Sequence, residues 1–157
     1  CSSWCSAAVQ GRFATIQNDF SCMVSPAQFD LFFKTYVARE AAALDACIYH
    51  LDGPDALRHL ETISGVPRLH LIQWVPGAGR KPVREWPELL TRIQSLGKGL
   101  VLSGTPREQL DMMTFLKPEG CLYHVRVGSR EEAAAFEREV AAIHRAKRSV
   151  AVVNPLP

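Results

Sequence analysis

Short apolar runs alternate along this chain with longer stretches whose apolar residues recur every three or four positions. The runs Phe13–Phe20, Cys47–Leu51, Leu69–Val75, Gly99–Leu102 and Cys121–Val127 read as strands. The stretches Pro26–Leu44, Pro54–Ile63, Pro87–Leu96, Pro106–Leu116 and Arg130–Lys147 read as helices. In the first of these, Phe29, Phe32, Phe33, Tyr36, Val37 and Leu44 form an apolar stripe at helical spacing, expected to pack in the core.

The helix starts carry their own signals. Ser25-Pro26-Ala27-Gln28, Thr105-Pro106-Arg107-Glu108 and Ser129-Arg130-Glu131-Glu132 each place a hydroxyl before the helix and Glu or Gln three residues later. That is the capping-box pattern, and Pro at the first helical position needs no N–H partner. Gly97 and the Gly65-Val66-Pro67 run are natural stops.

Five strands each followed by a helix imply an α/β domain with a parallel sheet. An open doubly wound sheet and part of an eight-stranded barrel both satisfy that pattern. No GxGxxG follows the first strand; Gly77-Ala78-Gly79 is a lone GxG in a later loop. The reading is therefore a (β/α)8 TIM barrel of which this chain supplies five βα units, a partial barrel in one domain spanning residues 1–157.

Composition narrows the class. With 157 residues, 47% hydrophobic and a net charge of +2, disorder is not expected. Five Cys without a CxxC pair exclude a Cys-rich zinc finger and argue against a disulfide scaffold. No apolar run reaches the roughly 18–20 residues of a membrane helix. Mixed charges give little reason to expect nucleic acid, so neither membrane nor nucleic acid is an expected partner. A reducing, cytoplasmic setting fits this cysteine usage.

In either architecture, chemistry sits at the carboxyl ends of the strands. There the chain places Gln17-Asn18-Asp19, His50-Leu51-Asp52-Gly53, Gln73-Trp74, Ser103-Gly104, and His124 with Arg126. Strand side chains alternate, so His50 and Asp52 share a face and could bind a metal or share a proton. Equally, Asp52-Gly53-Pro54 makes a turn and helix start with His50 hydrogen-bonded inside the barrel. Asp19 is a candidate general acid or substrate anchor, against the commoner reading as a strand-end cap. Arg126 could hold a carboxylate, or face helices and solvent. Trp74 could floor a flat substrate, although Trp is more often core. Cys22 could complete a metal set or simply fill space. The Arg80-Lys81-Arg84 loop reads first as solvated, and second as a contact for an anionic group. His59, His70 and His144 read as helix-surface or outer-face residues.

Five segments in order resemble the C-terminal half of the uroporphyrinogen decarboxylase superfamily, which includes the corrinoid-dependent methyltransferases. Ile16-Gln17-Asn18-Asp19-Phe20-Ser21 with Ser25-Pro26 resembles the family's fourth strand and helix. Tyr49-His50-Leu51-Asp52-Gly53, Ile72-Gln73-Trp74, Val101-Leu102-Ser103-Gly104 and Tyr123–Gly128 resemble strand ends five to eight. The resemblance implies a (β/α)8 barrel whose first three strands lie outside this sequence. The chain is accordingly expected to be an N-terminally truncated fragment, inactive alone, with its first and last strands as sheet edges.

The resemblance also implies an enzyme, and the departures sort its branches. Zinc-binding methyltransferases of the family carry His-x-Cys-Gly at this strand end; here Asp52 stands in the Cys position. The decarboxylases carry Asp-Gly, which Asp52-Gly53 matches, but lack the His. The leading expectation is corrinoid-linked methyl transfer to a zinc-activated thiol. His50 and Asp52 would be metal ligands, Asp19 and Asp52 catalytic carboxylates, and Gln73, Trp74 and Arg126 substrate contacts. Zinc, a corrinoid or a corrinoid protein, and a small-molecule substrate are the implied cofactors and partners, with a homodimer left open. The alternatives are cofactor-independent decarboxylation of a porphyrinogen-like substrate through Asp19 and Asp52, and a non-catalytic corrinoid-binding relative.

Overall fold

The structure, a computed structural model, describes Cys5 and residues 7–153, the last six by backbone alone. Its five strands are β1 (Phe13–Gln17), β2 (Ala46–Asp52), β3 (Leu71–Val75), β4 (Gly99–Ser103) and β5 (Cys121–His124). They form one sheet in the order β1-β2-β3-β4-β5, every neighbouring pair parallel. Strands β1 and β5 are the ends of that sheet. Unbroken sequential order lacks the reversal that creates the switch point of a doubly wound sheet.

The crossovers hold helices α1 (Pro26–Phe32), α2 (Lys34–Ala42), α3 (Leu60–Ser64), α4 (Pro87–Ser95) and α5 (Pro106–Phe115), and α6 (Arg130–Val153) follows β5. Three short 3-10 turns join them: Asp19–Met23, Pro54–His59 and Val83–Glu85. Among the described residues, no helix is long and apolar enough to cross a membrane.

The helices cover one face of the sheet. Ile16, Tyr49, Leu51, Ile72, Trp74, Leu100 and Leu102 pack there with Phe29, Val37, Ile63, Leu90, Ile93 and Met112. The opposite face carries a smaller cluster, Phe13, Ile48 and Val101, covered by Cys5 and Ala7 of the N-terminal segment. Strand-end residues on this second face escape the helices and are available for chemistry. At the other end of the sheet, Gly99 is required by close approach: a Cβ there would stand 2.3 Å from the Gly120 carbonyl oxygen.

Two capping boxes close in full, at Ser25 with Gln28 and at Thr105 with Glu108. In the third, Ser129 caps the Glu132 amide at 3.1 Å, while Glu132 reaches back to the Gly128 amide rather than that of Ser129. Hydrogen bonds from the Thr105 amide and hydroxyl, then from Arg84, hold the Glu108 carboxyl below the usual glutamate range. A carboxyl with a lowered folded-state pKa stabilises the fold above its ordinary value, about 4.3, and that contribution disappears as pH falls through the lowered value. Glu108→Gln is therefore expected to flatten the acid limb of stability in urea melts between pH 7 and pH 3. Thr105→Ala is expected to cost about 1 kcal/mol at neutral pH.

The elements depart from the sequence expectation in several places. The expected helix over 26–44 breaks at Phe33, where φ −120° and ψ −35° separate α1 from α2. The buried stripe is narrower than expected: Phe29 and Val37 are buried, but Phe32 and Tyr36 are exposed. The first strand stops at Gln17, because residues 19–23 wind into a 3-10 turn. The last strand stops at His124, the register partner of Ser103, where β4 itself ends.

Candidate metal centre

Alternation along β2 sends Ala46, Ile48, His50 and Asp52 to the face away from the helices. In register, His50 stands between Gln17 on β1 and Gln73 on β3, and Asp52 stands beside Val75. Asp19 opens the 3-10 turn that follows β1. One ligand atom from each of Asp19, His50 and Asp52 lies within 4.8 Å of the other two. Both carboxylates are exposed and the imidazole is half-buried.

Hydrogen bonds orient these groups. His50 Nδ1 is 2.7 Å from Gln73 Oε1. A carbonyl oxygen only accepts, so Nδ1–H donates and the lone pair lies on Nε2. A ligating histidine is commonly held in this way by a polar neighbour that fixes its tautomer. Gln73 Oε1 also accepts from the Cys5 thiol at 3.4 Å, and Cys5 Sγ accepts from the Thr15 hydroxyl at 3.4 Å. Gln17 Nε2 donates to Asp19 Oδ2 at 3.3 Å. Gly53 turns the chain directly after Asp52 at φ 78°, a conformation that strains other residues, while its amide donates to Val75 O at 2.9 Å.

The donor set fits a divalent ion. Zinc takes imidazole nitrogen and carboxylate oxygen at about 2.0–2.2 Å, which sets tetrahedral ligand atoms about 3.4 Å apart. The three ligand atoms, within 4.8 Å of one another, stand wider than that, and both carboxylates are exposed. If all three bound one zinc, a fourth position would stay open, the pattern of catalytic rather than structural zinc.

Other expected site residues are not gathered here. Trp74 points the opposite way from Gln73: it is 2% exposed, in the helix-side core, edge-on to Trp86 at 5.2 Å. Consecutive strand residues cannot face the same side, so a substrate-floor role for Trp74 is corrected to a packing role. Arg126 lies past the end of β5, exposed, with no ion-pair partner among the described residues. Cys22 donates to the Asp19 carbonyl at 3.1 Å instead of joining the ligand cluster. A groove of about 450 Å³ opens beside Asp52's neighbour Val75, lined also by Gly77, Arg80, Lys81 and Ser103. Arg84 is paired there with Glu85 and Glu108, whereas Arg80 and Lys81 have no carboxylate partner among the described residues. A larger groove of about 800 Å³ between β5 and α6 shares no residue with the centre.

His59 was expected on a helix surface; it is 1% exposed. The segment after Gly53 winds first as a 3-10 turn through His59, and only Leu60–Ser64 is α-helical. The tighter winding turns His59 inward, something apolar periodicity does not encode.

No family model, no curated protein and no solved structure matches this chain.

Proposed function

We propose that Asp19, His50 and Asp52 hold a zinc ion and that the chain carries the zinc-bearing part of a corrinoid-linked methyltransferase. The carrying observation is the convergence of these three residues, from β2 and the turn after β1, within 4.8 Å. The order of strand-end motifs resembling the uroporphyrinogen decarboxylase superfamily supports the methyl-transfer reading. A partial (β/α)8 barrel is the architecture we infer from the sequential parallel sheet with helices on one face.

Zinc bound at this site supplies Lewis acidity that makes a substrate thiol a thiolate nucleophile at neutral pH. The chain's residues prepare for that task. Gln73 holds the His50 ring by Nδ1 and leaves Nε2 as the nitrogen with a lone pair to offer a metal. Gln17 steadies Asp19. Asp52, standing where thiol-activating relatives in this superfamily carry Cys, gives a harder donor set with two negative charges to balance a divalent cation. The groove at Val75, the register partner of Asp52, offers a substrate room with Arg80 and Lys81 at its wall.

Equilibrium dialysis of the full chain against Zn²⁺ tests this reading. One zinc per chain is expected, released by a chelator and taken up again when zinc is returned. A chain that binds no zinc overturns it and favours metal-free decarboxylation through Asp19 and Asp52.

A further inference from the structure

The two loops that carry the candidate carboxylates are tied together behind the centre. Asp19 begins the turn Asp19–Met23, and Asp52 is followed by Gly53 and the turn Pro54–His59. His59 ends that second turn, and its Nε2 lies 2.9 Å from the carbonyl oxygen of Ser21, in the first. The nitrogen donates, because a carbonyl only accepts. A closed path therefore runs from Asp52 through the second turn to His59, across one hydrogen bond to Ser21, and back to Asp19.

The ring is held firmly for this single bond. Its face stacks on Phe29 at 4.5 Å and 22°, and both residues are 1% exposed. Its other nitrogen, Nδ1, is buried without a hydrogen-bond partner. A phenyl ring would fill the same slot and stack on Phe29 without orphaning a nitrogen. What histidine adds over phenylalanine is the bond to Ser21. The turn's other hydrogen bonds are local, from Ser21 N to Asn18 O, Val24 N to Ser21 O, Cys22 Sγ to Asp19 O and Gln17 Nε2 to Asp19 Oδ2, whereas His59 reaches it from the second turn.

We propose that His59 is a positioning residue, which fixes Asp19 relative to Asp52 through the Ser21 carbonyl and so sets the geometry of the zinc centre. The inference rests on the zinc reading for its consequence, and on the hydrogen bond alone for its mechanism. Glutamine can place an amide N–H near the position of imidazole Nε2, whereas phenylalanine keeps the stack and loses the donor.

The experiment is a zinc titration of the full chain carrying His59→Phe, His59→Gln, Asp19→Asn and the His59→Phe/Asp19→Asn pair. His59→Phe is expected to weaken zinc binding by about 10-fold, the lower end for a residue that orients a ligand from behind. His59→Gln should stay within about 3-fold of the parent, because the donor is kept. In the Asp19→Asn background, His59→Phe should change nothing further, because the group it positions no longer ligates. Wild-type affinity in His59→Phe overturns the proposal, as does an equal loss in both backgrounds, which marks general damage to the fold. A second readout needs no metal: in His59→Phe, the Ser21 and Val24 amides should exchange faster and the Gln17 side-chain amide resonance should move. If zinc fails to bind even the parent chain, the zinc reading falls, and unchanged amides in that metal-free measurement overturn the positioning role separately.

Discussion

His50→Ala is expected to lower zinc affinity by on the order of 100-fold or more, because even residues that merely orient a ligand are worth 10–100-fold. His50 supplies the only nitrogen of the set and is the only member held half-buried by a neighbour's hydrogen bond. Without it, two exposed carboxylates remain, and they repel each other unless a cation lies between them. Asp52→Asn should also weaken binding, because a neutral amide is a poor replacement for a carboxylate on zinc. Gln73→Ala should cost about 10-fold by releasing the imidazole tautomer. Competition against a chromophoric chelator measures all three. A His50→Ala chain that binds zinc like the parent would place the ion elsewhere and sink the site.

Trp74→Ala is expected to reduce stability by about 3–5 kcal/mol, the usual cost of removing a large buried aromatic side chain. Trp74 is 2% exposed, sits in the core that joins β3 to the helices, and meets the edge of Trp86. Truncation leaves a cavity that the rigid sheet cannot collapse into. A domain of this size is stable by only about 5–15 kcal/mol, so the urea midpoint should fall sharply. Zinc affinity of the fraction that remains folded should match the parent, because the side chain faces away from His50. Lost zinc binding with an unchanged midpoint would return Trp74 to the site.

These two residues also show which parts of the molecule could be read in advance. Strand period two placed His50 and Asp52 on one face, and the sheet register then brought Gln73 alongside and Asp19 within reach. The same rule, applied to Gln73 and Trp74 together, denies that neighbours in a strand share a site. Capping chemistry was legible because it is local: hydroxyl, Pro and Glu or Gln at fixed spacing suffice. His59 and Phe33 were not legible, because each depends on a switch of winding within a segment whose apolar spacing is still helical. Arg126 falls beyond the strand for a non-local reason: β5 can pair only as far as β4 extends.

The thiol of Cys5 gives the centre a clock. It is 5% exposed, hydrogen-bonded to Gln73 and Thr15 as part of the N-terminal segment, and only two hydrogen bonds from the His50 ring. A thiol reagent can reach it only when that segment lifts from the sheet. When reclosing outpaces the reagent, the labelling rate divided by that of an open cysteine equals the population of lifted molecules. Slower labelling of Cys5 on adding Zn²⁺ would then report, in units of an opening equilibrium, how strongly a filled centre tightens the segment on the far side of Gln73.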